Sequence, residues 1–196
     1  VFSIRRSGRL KGCFEKLRPI SLGVSAKTDE VGSRLEDCPK IYDVFFAGEI
    51  RSSPVRQKAV KDLQTLSKQG IKIFCPDQKL PFEDFIRACA SSWLVLSPEG
   101  AGWDCNRHYE APLAGAVPLM NYPTILRYQP LEEGKHCFHF ATEGDGLRQT
   151  ILRALADKPR LAQMAREARQ HVRRHHLHGK IIAYVVEQVA ENVKRV

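Results

Sequence analysis

A cluster of charged side chains lies beside two glycines, directly after a strongly apolar run of the chain. The stretch is WLVLSPEGAGWDCNRHYEAPLAGAVPLM (93–120), and its charged residues are Glu99, Asp104, Arg107 and Glu110. Gly100 and Gly102 lack a β-carbon, so the backbone there can approach a ligand closely. A guanidinium is a permanently charged, forked donor that suits phosphate, and a carboxylate can accept hydrogen bonds from a ribose or sugar diol. The combination predicts a site for an anionic ligand that carries hydroxyl groups.

A second group of basic residues follows an earlier apolar run, IYDVFFAG (41–48). Arg51 comes just after this run, and Arg56 and Lys58 lie shortly beyond it. A cation between a strand end and a helix start is suited to a diphosphate, because it stabilises the negative charge of a leaving phosphate. The alternative interpretation is a solvated helix start, in which these cations bind nothing.

Apolar runs of strand length alternate along the chain with segments in which apolar residues recur at helical spacing. The predicted strands are 41–48, 71–76, 93–98, 116–120 and 137–141, with a further short strand at 20–24. The predicted helices are 55–69, 81–92, 105–114, 147–156, 160–176 and 178–193. Strands that alternate with helices and are apolar throughout indicate an α/β fold with a parallel sheet covered on both faces. Such folds bind ligands beyond the carboxyl ends of their strands, which selects the loops after Gly48 and Ser97.

The helix predicted at 105–114 has a cap and a charged face. Asp104 is placed to cap its start, with Cys105 to Arg107 as the first turn. Free backbone N–H groups at a helix start favour an anion. Arg107 and Glu110 are three residues apart and therefore share a helix face. The alternative is a capped helix with an internal arginine–glutamate pair, which stabilises little at a surface.

Composition and charge describe a chain with a sizeable core and a basic excess. The chain has 196 residues and a formal net charge of +9, which suggests an anionic partner or, alternatively, a basic helix region that serves solubility. The start lacks Met and an apolar core of signal-peptide length, and 1–40 is polar and irregular. We therefore expect 1–40 to be a connector or the remnant of an N-terminal domain, and 41–196 to be the folded domain. The six cysteines form no C-x-x-C pair, which favours reduced, structural thiols in the cytoplasm.

Several motifs with a known chemistry are missing from the sequence. It has no G-x-S-x-G, H-E-x-x-H or P-loop, and no alternating aromatic and basic pattern of an RNA-binding surface. His171 and His175 are four residues apart, as metal-binding pairs are, but arginines crowd the segment and no acidic ligand lies near. A basic, partly exposed helix is the better interpretation, so no metal site is predicted.

The segment 97–120 resembles the donor-binding loop and helix of GT-B glycosyltransferases, and is most similar to the exostosin-like and CgeB-like groups. Their helices follow roughly the pattern G-x-D-[ST/C]-x-R-x-[WYF]-E-A-x-x-x-G-x-[VI]-P. The matching residues here are Gly102, Asp104, Arg107, Tyr109, Glu110, Gly115 and Pro118. The resemblance extends over about residues 40–193, and it implies a Rossmann-like parallel sheet flanked by helices, the C-terminal half of the GT-B fold.

The resemblance also implies a role for individual residues. Glu110 matches the carboxylate that holds the donor ribose, and Arg51 and Lys58 match the basic residues that contact the donor diphosphate. Gly100 and Gly102 match the loop that passes beside the donor sugar. Asp104 and Arg107 match polar positions of the exostosin-like pattern. No catalytic residue is assigned, and GT-B enzymes typically need no metal, in keeping with the missing Asp-x-Asp motif.

The sequence departs from the family pattern in two respects. Many retaining members space two carboxylates as Glu-x7-Glu, whereas ten residues separate Glu99 from Glu110 here. A whole GT-B enzyme has two Rossmann-like halves, and this chain matches the C-terminal one. We therefore expect an N-terminal acceptor-binding domain as a partner.

The predicted function is transfer of a sugar from a nucleotide sugar to a hydroxyl of a glycan, protein or lipid acceptor, or donor binding alone. The alternatives are a non-catalytic nucleotide or sugar-phosphate binding module, and a basic protein that binds nucleic acid or a membrane surface. We expect no cofactor and no nucleic-acid partner, with contact to a membrane surface left open. The expected location is the cytoplasm, or the membrane surface or Golgi lumen if the chain is part of a longer protein.

Overall fold

The computed structural model describes residues 17–193 as alternating strands and helices. The strands are β1 (Tyr42–Phe45), β2 (Ile73–Phe74), β3 (Ser92–Leu96), β4 (Val117–Asn121) and β5 (Phe138–Phe140). The helices are α1 (Ala26–Ser33), α2 (Pro54–Lys68), α3 (Phe82–Ala90), α4 (Arg107–Leu113), α5 (Gly146–Leu155), α6 (Lys158–His175) and α7 (His178–Val193). A short 3₁₀ turn, Ile50–Ser52, precedes α2. None of these helices is both long and apolar enough to cross a membrane.

The five strands form one sheet in the order β2-β1-β3-β4-β5, and every neighbouring pair is parallel. The predicted fold class is therefore confirmed. Val44 of β1 lies in register with Ile73 of β2 and with Leu94 of β3, so β1 is flanked on both sides. The chain moves outward from β1 to β2 and then returns to the other side of β1 at β3. This reversal makes the carboxyl ends of β1 and β3 the switch point at which such sheets bind ligands.

Helices cover both faces of the sheet, which explains why the strands are apolar throughout. Val44 and Phe46 pack with the buried residues of α2, α5 and α6, whereas Phe45 packs with those of α1, α3 and α4. In β3, Leu94 packs with the first of these groups of helices and Val95 packs with the second. Successive strand residues point to opposite faces, so an all-apolar strand needs a helical layer on each side.

Local signals set the start of α2 as the sequence predicts. The hydroxyl of Ser53 accepts a hydrogen bond from the backbone N–H of Arg56 at 3.2 Å, and Pro54 occupies the first helical position. A serine cap satisfies one of the free N–H groups at a helix start, and proline has no N–H to leave free. Arg56 is thereby fixed in the first turn, at the switch point of the sheet.

The N-terminal part of the described chain differs from the prediction. The strand predicted at 20–24 is wrong, because this segment contributes a single bridge between Val24 and Leu177, and Ile20 and Leu22 are exposed. No sequence pattern predicts α1, whose Val31 packs into the same core as Ile86. Residues 1–16 of the predicted connector lie outside the described residues.

Candidate functional site

An open groove of about 1570 Å³ lies at the switch point of the sheet. The loop after β1, the first turn of α2 and the start of α4 form its polar side. The polar residues and glycine that line this side are Gly48, Glu49, Arg51, Arg56, Cys105, Asn106, Arg107 and Glu110. Apolar side chains before and within α3 line the other side, among them Leu80, Phe82 and Phe85. The groove therefore offers a charged wall opposite an apolar wall.

Arg56 is a buried cation that joins the two loops of the switch point. Its Nη1 donates to the carbonyl of Glu49 at 3.1 Å and to the hydroxyl of Ser52 at 2.9 Å. Its Nε and Nη2 both approach the carbonyl of Pro98 at 3.4 Å. Because Glu49 follows β1 and Pro98 follows β3, one guanidinium holds both loops at the floor of the groove.

Two glycines make room for the arginines. A β-carbon on Gly100 would lie 2.6 Å from Nη2 of Arg56. A β-carbon on Gly48 would meet Nη2 of Arg107 at less than van der Waals distance. Gly100 therefore allows the close approach of an arginine of this same chain, whereas no atom lies within 4 Å of the position of a β-carbon on Gly102. Gly102 is exposed, so its surroundings leave space for a ligand.

Arg107 lies over the ring of Phe46, with its guanidinium carbon 5.1 Å from the ring centroid. Its Nη1 is 3.5 Å from the carbonyl of Leu96, a weak contact. Burial and the neighbouring charge of Arg56 lower the pKa of Arg107, yet a guanidinium stays charged at neutral pH. Among residues 17–193, no carboxylate forms an ion pair with Arg107, Arg56 or Arg51. Three arginines that line one groove without being taken up in ion pairs favour an anionic ligand there.

The carboxylate of Glu110 faces the same groove with no direct partner. Burial raises its pKa, and the charge of Arg107 acts in the opposite direction. In the described part of the chain its side chain makes no hydrogen bond and no ion pair, so the alternative of an internal pair with Arg107 is wrong. A partly buried carboxylate with free acceptor positions can bind the hydroxyls of a ligand.

The start of α4 differs from the prediction. The helix begins at Arg107, Asn106 stands at the cap position without a side-chain bond, and Asp104 is not the cap. The N–H groups of Tyr109 and Glu110 both donate to the carbonyl of Asn106 at 2.9 Å. Those donors are therefore occupied, and the arginine side chains provide the positive charge of the groove.

Asp104 instead ties α4 to the N-terminal segment. Its Oδ2 accepts the backbone N–H of Leu22 at 2.8 Å, and its Oδ1 accepts the hydroxyl of Tyr109 at 2.8 Å. Each carboxylate oxygen has a partner within the protein. The position of Asp104 next to the groove therefore follows from a structural contact.

Glu99 and Lys58 point away from the groove. The carboxylate of Glu99 accepts a hydrogen bond from the side chain of Asn121 at 3.0 Å, at the end of β4. Lys58 forms an ion pair with Asp62 at 2.6 Å and donates to the carbonyl of Gly144 at 2.8 Å. The structure thus brings Arg51, Arg107 and Glu110 to the groove, with Gly100 against Arg56. Gly102 and Lys58 are not among the residues that line it.

Ser97 and His108 form a buried pair behind the loop after β3. The hydroxyl of Ser97 lies 2.8 Å from Nδ1 of His108, and Nε2 of His108 lies 2.9 Å from the carbonyl of Trp103. Burial lowers the pKa of His108 to about 3, so the ring is neutral at physiological pH. Both ring nitrogens are satisfied, which fits a residue that fixes the loop.

The histidines of α6 pack against one another. The ring centroid of His171 lies 4.8 Å from that of His175 and 4.4 Å from that of His136. Nε2 of both His171 and His176 donates to the carbonyl of Gln129 at 2.8 Å. His171 and His175 thus belong to a packed group of rings and are not assigned to a metal.

The main feature that the sequence does not predict is the role of Arg56 in holding the two loops together. The sequence marks Arg56 as a cation near a strand end, but it does not predict the burial of this residue or its contacts with Glu49 and Pro98. Its position three residues after a serine cap was the available signal, because a first-turn residue of α2 faces the switch point. The contact with Pro98 joins positions 42 residues apart in sequence, which no local pattern shows.

The sheet order and the groove define a Rossmann-like α/β domain with a ligand crevice at its switch point. A family profile described as "Glycosyl transferase-like" matches residues 54–187. The match covers more than half of the chain, and the chain belongs to this family. No curated protein sequence matches it significantly.

Solved glycosyltransferases share the fold at low sequence identity. The sucrose-phosphate synthase of Thermosynechococcus elongatus matches with a TM-score of 0.60 and 12% identity, over 91% of this chain and 53% of that one. A glycosyltransferase of Rickettsia africae matches with a TM-score of 0.54 and 14% identity, over 99% and 54%. The C-terminal domain of LpcC from Francisella tularensis matches with a TM-score of 0.52 and 11% identity, over 80% of this chain and 100% of that domain.

The chain spans about half the length of the two whole enzymes. Together with the match to an isolated C-terminal domain, this confirms the predicted C-terminal half of the GT-B fold.

Proposed function

We propose that this chain is the donor-binding half of a glycosyltransferase that moves a sugar from a nucleotide sugar to a hydroxyl acceptor. The observation that carries the proposal is the set of three arginines, Arg51, Arg56 and Arg107, at one groove, none of which forms an ion pair with a described residue. The phosphates of a nucleoside diphosphate can pair with these guanidinium groups, and the apolar side of the groove gives its base a surface to pack on.

The proposed reaction breaks the bond between the anomeric carbon and the terminal phosphate oxygen. The acceptor oxygen forms the new bond to that carbon, its proton passes to a base outside the described residues, and the electron pair of the broken bond stays on the diphosphate. Arg107 and Arg51 stabilise the charge that develops on this leaving group, and Arg56 fixes the loops around it. The carboxylate of Glu110 accepts hydrogen bonds from the donor ribose.

A structural relative supports the nature of the donor. The Anabaena protein HepE in complex with UDP and glucose matches with a TM-score of 0.53 and 17% identity, over 93% of this chain and 51% of that one. We transfer to this chain the class of ligand, a nucleoside diphosphate and its sugar, and leave the base to experiment.

Four finer points belong to the same proposal. The pattern of 102–118 supports a place in the exostosin-like and CgeB-like groups. The missing Asp-x-Asp motif and the three arginines support a donor site in which arginines balance the diphosphate without a metal.

The half-length match supports a partner domain that brings the acceptor, a glycan, protein or lipid. The cysteine pattern supports the cytoplasm and the basic excess a membrane surface as the site of action, with the Golgi lumen as the alternative if the chain is part of a longer protein.

A second function, donor binding without transfer, rests on the same groove, because its arginines can bind a nucleotide whether or not an acceptor is present. If no acceptor domain joins this chain, it binds the nucleotide sugar without transfer, as a binding module. Transfer assays with the full-length protein and with this chain separate the two functions, because donor binding without transfer by the full-length protein would establish the module.

The test of donor binding is a thermal-shift screen with UDP, GDP, ADP and their sugars. Ligand binding to the folded state raises the melting temperature by mass action. We expect one base to give a shift and the other two to give none. The matched variant is Arg107→Gln, which keeps a polar but shorter side chain and removes its charge, and should reduce the shift. No shift with any nucleotide would contradict the proposal.

A further inference from the structure

A compact group of metal-ligating side chains lies at the edge of the sheet, remote from the residues that line the groove. Its members are Glu133, Cys137 and His139, in the pattern E-x3-C-x-H. Each residue offers one ligand atom: a carboxylate oxygen, a thiol sulfur or a ring nitrogen. These three atoms all lie within 4.8 Å of one another. It is the one such group among residues 17–193.

The backbone explains why these side chains converge. Glu133 and Cys137 form an isolated bridge across a tight turn, and the N–H of Gly134 donates to the carbonyl of Cys137 at 2.9 Å. Cys137 and His139 are two residues apart at the start of β5, so their side chains lie on the same face. The turn and the strand therefore place three ligands on one side of a seven-residue segment that folds locally.

The thiol of Cys137 makes only long polar contacts, and its Sγ lies 3.6 Å from the carbonyl of Leu131. Sγ of Cys137 lies 4.0 Å from Nε2 of His139, which is too long for a strong hydrogen bond. Zinc binds sulfur at about 2.3 Å and nitrogen at about 2.0 Å, so two of its ligands stand roughly 3.5 Å apart at a tetrahedral angle. A closure of about half an ångström would bring both atoms into one coordination shell.

The histidine ring is already held in position. Its Nδ1 lies 2.9 Å from Oε2 of Glu133, and the ring of Tyr122 stacks on it with centroids 5.6 Å apart. Oε2 of Glu133 also accepts the backbone N–H of His139, and its Oε1, which has no contact within the described residues, is free to bind the ion.

Burial and charge select the ion. Cys137 and His139 are buried, whereas the side chain of Glu133 is 44% exposed and opens the group to solvent. A divalent ion with one thiolate and one carboxylate is electrically neutral as a unit, which keeps the cost of burial low. Sulfur, imidazole and carboxylate together suit Zn²⁺ and other borderline first-row ions, and they do not suit Mg²⁺ or Ca²⁺.

We propose that Glu133, Cys137 and His139 form a zinc site that fastens the turn 133–137 to β5, with water as the fourth ligand. The site takes no part in the proposed sugar transfer, because none of its residues lines the donor groove. Its function is structural, since it joins the edge strand to the loop that precedes it.

Cobalt gives a direct spectroscopic test on the full chain. Co²⁺ replaces Zn²⁺ in such sites, and a cobalt–thiolate bond produces a charge-transfer absorption band. We expect one equivalent of Co²⁺ to produce this band and Zn²⁺, which binds more tightly, to remove it. Cys137→Ser should abolish the band, whereas Cys89→Ser, an equally buried control, should keep it. Circular dichroism verifies that both variants fold.

A second variant keeps the test decisive if Cys137→Ser does not fold. Glu133 is exposed, so Glu133→Gln should fold and should weaken Co²⁺ binding at least tenfold. His171→Gln, on the packed rings of α6, should leave the affinity unchanged. The absence of a charge-transfer band in the unmodified chain, a band that survives Cys137→Ser, or an unchanged affinity in Glu133→Gln would each overturn the proposal.

Discussion

Gly100 and Arg56 are coupled by contact: a β-carbon on Gly100 would lie 2.6 Å from Nη2 of Arg56. The guanidinium cannot simply move away, because Glu49, Ser52 and Pro98 hold it from both loops of the switch point. Gly100, in the loop after β3, therefore leaves the space that the buried Arg56 of the first turn of α2 occupies. The shape of the groove depends on this pair, although neither residue is near the other in sequence.

Substitution of Gly100 by alanine should therefore disturb the groove more than the fold. We expect Gly100→Ala to displace Arg56 from Pro98, to reduce affinity for the nucleoside diphosphate about tenfold, and to lower the free energy of unfolding by about 1 kcal/mol. Isothermal titration calorimetry and urea unfolding measure the two effects. Gly179→Ala is the control, because nothing lies within 4 Å of its β-carbon position on the exposed face of α7. Equal affinities in the two variants would contradict the coupling.

Arg51 and Lys58 should differ in their contribution to binding. Arg51 is exposed at the groove and has no ion-pair partner in the described chain, whereas Lys58 pairs with Asp62 outside it. We expect Arg51→Ala to weaken nucleoside diphosphate binding about tenfold with stability unchanged within about 0.5 kcal/mol. Lys58→Ala should leave binding within about twofold, since its ammonium is directed elsewhere. Titrations at constant salt compare them, and a larger loss for Lys58→Ala would reverse the assignment.

Glu110 should show opposite effects on stability and on binding. Burial raises its pKa, so the folded state disfavours the carboxylate relative to the unfolded chain. This cost is fully present above the folded pKa and disappears as the pH falls through that value. Glu110→Gln removes the charge, so we expect equal or higher stability at neutral pH together with at least tenfold weaker nucleotide binding, roughly 1.4 kcal/mol.

The pH dependence of binding provides the check on Glu110. Hydrogen bonds to a ribose diol need the ionised carboxylate, so affinity in the unmodified protein should fall as the pH decreases through the raised pKa. Glu110→Gln should lack this part of the pH dependence. The same pH profile in both proteins, measured by calorimetry, would show that Glu110 does not accept from the ligand.

The strands and most helices follow from local patterns in the sequence. Periodicity predicted β1, β3 and β4, and Ser53 with Pro54 marked the start of α2, because caps and apolar runs act over a few residues. The helix start at Arg107 was misplaced by two residues because Asp104 looks like a cap in sequence. Its carboxylate is instead used by Leu22 and Tyr109, and the contact with Leu22 joins positions 82 residues apart.

The sequence was sufficient to predict which loops form the site, but only some of the side-chain contacts within it. The rule that ligands bind beyond the carboxyl ends of parallel strands selected the loops after Gly48 and Ser97. The direction of each side chain depends on tertiary packing, which turned Arg107 onto Phe46 and Lys58 toward Asp62. The helix α1 carries few apolar residues, so its packing against α3 and α4 gave no signal.

Lys40 offers a test of the fold that is independent of the groove. Its ammonium donates to the carbonyls of Ala90, Ser92 and Gly115 at 2.7 to 2.9 Å, and so joins the end of α3 to the start of β3 and the end of α4. We expect Lys40→Met to lower the free energy of unfolding by about 3 kcal/mol at neutral pH, because three carbonyls lose a charged donor. Lys61→Met, at an exposed position of α2, is the control and should have little effect.

The difference between the unmodified protein and Lys40→Met should also depend on pH. Burial lowers the pKa of Lys40 to about 8, from 10.5 for an ordinary lysine. The cost of the buried charge is fully present below about pH 8 and disappears as the pH rises from about 8 to 10.5, so the unmodified protein gains stability over that range relative to the variant. Urea unfolding at about pH 7 and about pH 9.5 measures this gain. A difference that stays constant between the two conditions would show that the folded protein does not lower the pKa of Lys40.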